Sequence, residues 1–235
     1  MAVHGKNTKV FFNEFNFTSF FNSASVPMEA SMTDTTAFGA NSKTYMPGHN
    51  NATISAEGFY DGSANSVDEK LAEAFAVDSK LWSVYLSGDA FGSPGYAMSA
   101  IENAYNVMST IDDACRISAA AQSNKTGTER VISLHAHAAE TAAWTGTTLN
   151  NGAASEAGGS TYLHVTAATG TVEISIRHST DNFVADDTEL VAFTPVTEAV
   201  AERKTFTGAV KQYVRGIATI AGGETITFQL GFYRA

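Results

Sequence analysis

At 235 residues and 44% apolar content, the chain can form one large β domain or two small ones with a real core. Only 16% of its residues are charged, against roughly 25% in ordinary soluble domains. The net charge of −10 argues against tight nucleic-acid binding, which needs Lys and Arg to neutralise phosphates. One cysteine, Cys115, excludes an internal disulfide framework; it sits in an apolar-alternating run and is expected as a small core residue. Met1 to Lys9 is polar with no apolar stretch after it, so no secretory signal is expected, and no run approaches a membrane span. Buried interface surface is depleted in charge, so the composition fits a subunit that packs against copies of itself. A Ser/Thr-rich β protein acting alone has the same composition.

In chain order, Thr8 to Phe12 reads as a strand turned by Asn13-Glu14. Phe11, Phe12, Phe15, Phe17, Phe20 and Phe21 follow closely, too many for one face of a small core. Phe15, Phe17 and Phe21 are assigned to the core; Phe12 and Phe20 are the candidate interface aromatics. Asn22 to Met28 begins a further strand. Met32 to His49 then reads as a long polar loop, a length that is uncommon unless the loop is functional or disordered. It carries Asp34, Phe38, Lys43, Tyr45, Met46 and Pro47. Its aromatic and Met side chains are expected to pack on something, which need not be their own chain. Thr53 to Tyr60 alternates as a strand and ends at Asp61-Gly62.

Val67 to Val77 is the one predicted helix. Ser66 serves as N-cap with Glu69 completing a capping box, and Asp68 and Glu69 suit the positive end of the helix dipole. Leu71 and Phe75 form its apolar stripe. Strands resume at Leu81 to Leu86, and Tyr96 to Met108 and Thr110 to Ser123 are expected to pair. Asn124 to Gly127 is the predicted domain boundary. Beyond it lie Val131 to Ala138, a Gly- and Asn-rich loop from Thr145 to Gly159, and strands at Tyr162–Thr166, Thr171–His178, Glu189–Phe193 and Lys204–Thr219. A closing hairpin is read with Lys211–Ile220 and Glu224–Arg234 as its arms. Strands at this spacing predict a β-sandwich.

One stretch carries a family resemblance. Asp34-Thr35-Thr36 with Phe38-Gly39, then Lys43-x-Tyr45 and Pro47-Gly48, then Ile54-x-Ala56-x-Gly58-x-Tyr60-Asp61, resembles the tail tube (major tail) proteins of long non-contractile-tailed bacteriophages. The resemblance implies a mainly β fold: a tail-tube-like β-sandwich or barrel with one flanking helix, followed by a second β-sandwich domain. It implies residues 1–124 as the tube domain, with an assembly loop at 32–49 and a helix at 66–77, and residues 125–235 as a decoration domain. It also implies hexameric rings of this chain, stacked into a tube with other tail proteins and located in the virion after synthesis in the host cytoplasm. DNA would pass through without specific binding. Asp112 and Asp113 are candidates for an acidic lumen wall that repels phosphate; a turn or a strand end is the alternative.

No Gly-rich phosphate loop and no Gly-x-Ser-x-Gly elbow is present. Neighbouring acids on a strand point to opposite faces, so neither Asp112-Asp113 nor Asp186-Asp187 is a natural acid/base dyad. His135-Ala136-His137 puts two imidazoles on one strand face, near Glu140, and is loosely similar to the His-x-His…Glu of cupins. The spacing to Glu140 is short for that family. No catalytic residue, metal or cofactor is assigned. The alternatives are a carbohydrate-binding β-sandwich module, with Trp82, Trp144 and tyrosines stacking sugars, and a capsid decoration or head-to-tail joining protein.

Overall fold

The computed structural model describes residues 4–235, and its secondary structure is almost all strand. The reading of Met1 to Lys9 as lacking an export signal falls in part on residues 1–3, outside the described ones. In chain order the strands are β1 (Lys9–Phe12), β2 (Phe15–Asn16), β3 (Phe21–Ser25), β4 (Met28–Asp34) and β5 (Tyr45–Phe59). The helix α1 (Val67–Ala74) follows, then β6 (Lys80–Tyr85), β7 (Pro94–Met108), β8 (Arg116–Ser123) and β9 (Glu129–Glu140). The rest are β10 (Trp144–Thr145), β11 (Leu149–Asn150), β12 (Gly159–Thr169), β13 (Glu173–Ser179), β14 (Thr188–Ala192), β15 (Val200–Phe206), β16 (Tyr213–Thr219) and β17 (Thr225–Arg234). Among the described residues no helix is long and apolar enough to cross a membrane.

The chain forms two compact units that are interleaved in sequence. One takes the segments up to Ser19, Leu81–Ala97 and Glu129–Ala235; the other takes Phe20–Lys80 and Met98–Thr128. The sequence-level division at residue 124 treats the units as consecutive, whereas the first strands of the chain group with its C-terminal half.

The first unit is a two-sheet sandwich. One sheet runs β15-β12-β17-β9, continues through the start of β7, and ends β6-β1-β2. The other runs β10-β16-β13-β14, with β11 also on β16. Inward residues alternate along each strand: Ile226, Phe228, Leu230 and Phe232 of β17 meet Ile174 and Ile176 of β13 and Val214 and Ala218 of β16 in one buried cluster. The predicted closing hairpin is therefore absent. Its two arms, β16 and β17, lie in different sheets, and Ala221-Gly222-Gly223 carries the chain from one to the other. Both arms alternate because both face the shared core.

The aromatic N-terminus is also placed differently. Asn13 turns the chain at φ 46°, so β1 folds back on β2 with Phe12 opposite Phe15. Phe12 is 1% exposed, stacked on Phe17 and tilted against Trp82. It has no surface to offer a neighbour, which corrects its assignment as an interface residue. Phe17 is buried as expected.

The second unit is built on β5. Its inner half pairs with β3 on one side and β8 on the other, and β8 continues to β7. Buried Ala52, Ile54 and Ala56 alternate with more open residues along β5. Gly58 lets β3 come close, since a Cβ there would lie 2.0 Å from the Phe20 carbonyl oxygen. In α1, Val67, Leu71 and Ala74 are buried, but Phe75 ends the helix and is half exposed. Ser66 makes no side-chain cap; Glu69 instead accepts the Asn65 N–H at 2.7 Å. The predicted strand from Thr110 starts at Arg116. Thr110 to Cys115 is turn and coil, which leaves Cys115 exposed rather than in the core.

One buried group in this unit works against stability. Glu102 of β7 is fully buried, neither carboxyl oxygen has a hydrogen-bond partner among the described residues, and burial pushes its pKa up to about 8. The folded value lies above the unfolded one, so its favourable contribution is complete only below about pH 4.5 and is lost as pH rises toward 8. Glu102→Gln is expected to raise the urea midpoint at pH 7 and above, with little change at pH 4. An unchanged midpoint at pH 8 would contradict this.

Candidate assembly surfaces

The segment read as a loop at 32–49 is mostly a β-ribbon. β4 pairs with the outer half of β5 from Met28↔Ala52 to Asp34↔Tyr45, with a bulge between Ala30 and Met32. Every residue of β4, and β5 from Tyr45 to Asn51, is exposed. A ribbon wet on both faces shows no period-two apolar signal, which is why its sequence reads as loop. The irregular part is only the tip, residues 35–44. It closes through Thr35 N–H to the Thr44 carbonyl at 2.9 Å and turns at Gly39, with φ 83°. Asp34 holds the base of the tip. Its carboxylate accepts the Thr36 hydroxyl and N–H, which lowers its pKa, and Lys43 stands 3.8 Å away.

The ribbon brings the predicted loop residues together. Directly paired residues share a face, so Met32 with Pro47 and Asp34 with Tyr45 lie on the side that also carries Met28; Met46, paired with Thr33, lies on the other. Phe38 at the tip is fully exposed, and Met28, Met32, Tyr45 and Met46 are each about half exposed or more. An isolated two-stranded ribbon is at best marginally stable in water. This one also presents four large apolar side chains and a phenol that its own chain does not cover.

The other named residues are scattered. Phe20 is half-buried, and its carbonyl accepts the Phe59 N–H at 2.8 Å. Asp112 and Asp113 are exposed in the turn between β7 and β8, not on a strand face. Asp113 accepts the Ala114 N–H at 2.7 Å and an Arg116 ion pair at 3.0 Å, and both lower its pKa. Sequence reading missed a second exposed apolar group, Phe59, Tyr60, Val107, Met108 and Ile111, at the inner end of β5 and the adjoining turn. Exposed strand ends carry no periodic signal that would mark them.

The histidines of β9 do not act as a pair. The ladder with β17 slips, so that Ala136 and His137 together oppose Gln229. His135 stacks on Phe228 at 4.0 Å and meets Glu140 at 3.0 Å. His137 meets Thr166 at 2.9 Å and Asn16 at 3.2 Å instead. Among the described residues, no three His, Cys, Asp or Glu side chains are placed to hold a metal.

His164 is fully buried, with its ring nitrogens 2.7 Å from the Asn13 carbonyl and 2.7 Å from the Ser83 hydroxyl. Burial lowers its pKa to about 4 from 6.5. The folded value is below the unfolded one, so its contribution is complete above about pH 6.5 and is lost as pH falls toward 4. That loss is about 3 kcal/mol by linkage. Urea midpoints at pH 7, 5.5 and 4.5 should fall steeply in the wild type and less in His164→Asn. Parallel slopes would contradict the assignment.

No protein-family model matches the chain, and no curated protein matches it. Among solved structures it is similar to a chain in the virion of a native gene transfer agent particle, at 14% identity and TM-score 0.44, over 55% of this chain and 98% of that one. It is similar to a chain of the extended sheath–tube complex of the PVC extracellular contractile injection system, at 14% identity and TM-score 0.43, over 55% and 93%. It is also similar to the Dit protein of phage SPP1, a hub of the adsorption apparatus of phages infecting Gram-positive bacteria, at 8% identity and TM-score 0.37, over 94% and 98%.

Proposed function

We propose that this chain is a structural virion protein of a phage-type tail, with no enzymatic role. Copies join into rings, hexameric as the sequence resemblance implies, and the rings stack into a tube that conducts DNA. The observation that carries the reading is the β4–β5 arm, exposed on both faces and rich in uncovered Met and aromatic side chains. A lone soluble domain gains nothing from such an arm and risks edge-to-edge aggregation. A subunit gains an interface. The acidic balance suits a wall that DNA slides past without sticking. In this reading the unit that contains Glu129–Ala235, together with the segments up to Ser19 and Leu81–Ala97, supplies the outer decoration.

The carbohydrate-module alternative has little to support it. Trp82, Tyr85 and Tyr162 are fully buried, and Trp144 packs against the sandwich core. Sedimentation velocity over a concentration series tests the proposal. Species many times the 24.8 kDa monomer are expected as concentration rises. A monomer at every concentration, with folded-state spectra, would overturn it.

A further inference from the structure

The strand register of the second unit shows which face α1 covers. Ile54 of β5 is paired with Ala121 of β8, and Ala121 with Glu102 of β7; Ala56 is likewise paired with Ala119, and Ala119 with Tyr105. Directly paired residues share a face, as do residues two apart on a strand. The bulge between Glu102 and Ala104 adds the residue that returns Tyr105 to the face of Glu102. One face therefore carries Ile54, Ala56, Ala119, Ala121, Glu102 and Tyr105, and all but Tyr105 are buried.

α1 is tied to this face at both ends by one short stretch of β7. Near its start, Asp68 accepts the Tyr105 hydroxyl. Just past its end, the Ala76 N–H donates to the Glu102 carbonyl at 2.9 Å, and Phe75 bridges to Glu102. Between the ties the helix buries Val67, Leu71 and Ala74. It is 8 residues long with no side-chain cap at Ser66, and a helix so short has little stability of its own.

The Glu102 carboxyl is shut in on that face, with no hydrogen-bond partner among the described residues. The groups around it do not favour a carboxylate. β5 and β8 bring Ile54 and alanines. β7 brings Tyr105, which also interacts with Asp68 and Tyr60. α1 brings Asp68, Glu69 and Glu73, and its one cation, Lys70, is held by Glu69 and Glu73. No basic residue stands in the last turn of α1, and its negative dipole end is the one tied to Glu102.

We propose that α1 is a latch, closed over Glu102 while that carboxyl is protonated and released from β7 when it ionises. Release hydrates the carboxylate and uncovers the face of Ile54 and the alanines. Burial under the closed latch pushes the Glu102 pKa up to about 8 from 4.5, so closure is fully favoured below about pH 4.5 and weakens as pH rises toward 8. The latch works within one copy of the chain and does not depend on assembly.

Amide hydrogen exchange of the dilute full chain, at pD about 5.5 and about 8 and corrected for intrinsic rates, tests this. The Lys70 and Ala76 amides, bonded to the Ser66 and Glu102 carbonyls, should lose ~10-fold or more of their protection between the two conditions. The β8 amides should keep theirs. In Glu102→Gln, and in Glu102→Leu as a second neutral variant, the α1 step should vanish. Constant α1 protection in the wild type overturns the proposal. So does an equal loss in α1 and β8, which would make Glu102 a buried acid that loosens the whole unit. A step that survives in a neutral variant overturns it too, since another group would then be titrating. If neither variant folds, the wild-type comparison of α1 with β8 decides alone.

Discussion

Replacing Phe38 and Tyr45 with serine is expected to abolish assembly while leaving the monomer folded. Phe38 lies at the arm tip fully exposed, and Tyr45 is half exposed at the base of the tip. Surface substitutions away from the core usually change stability by no more than about 0.5 kcal/mol. Removing an aromatic anchor from an interface commonly costs about 2 kcal/mol or more, roughly 30-fold in affinity per contact. In a stacked assembly each subunit repeats that loss, so the double variant should sediment as monomer where the wild type polymerises. Thermal unfolding recorded on the same samples shows whether the fold is intact. Wild-type assembly by the double variant would show that the arm is not the joint.

Phe228→Ala is expected to lower stability by roughly 3–5 kcal/mol, the cost of emptying a large buried aromatic site. Phe228 lies in the first sheet of the sandwich, fully buried. Its ring is parallel to His135 at 4.0 Å and edge-on to Trp144 of the opposite sheet at 5.6 Å. Removing it takes away the contact that ties β17 to β10 across the core, and it leaves a cavity walled by stiff β-branched neighbours such as Ile174 and Ile226. Urea unfolding of the variant measures the loss. A cost below about 1 kcal/mol would mean the two sheets do not depend on this ring.

Strand content and the helix were legible in the sequence because each has a periodic apolar face. Leu71 at helical spacing and Ile54 at strand spacing are both buried where their periods put them. Pairing partners were not legible. β16 and β17 alternate as hairpin arms do, yet each pairs within its own sheet, and alternation reports a buried face and not a neighbour. Single irregular residues caused the other errors. The positive φ at Asn13 turns Phe12 inward, and the slip opposite Gln229 separates His135 from His137. The turn before Arg116 exposes Cys115. Of the candidate site, the residues of the arm were legible, but its form as a ribbon was not, since both faces are wet. The exposed inner end of β5 was invisible because Phe59 and Met108 come together only through the β5–β8–β7 register.

Negative-stain electron microscopy of the purified protein, across a concentration series, tests the central claim most directly. The account predicts rings at intermediate concentration and hollow tubes of stacked rings above it, both absent from the Phe38→Ser/Tyr45→Ser variant. Isolated monomers at every wild-type concentration, or amorphous clusters with no central channel, would contradict it.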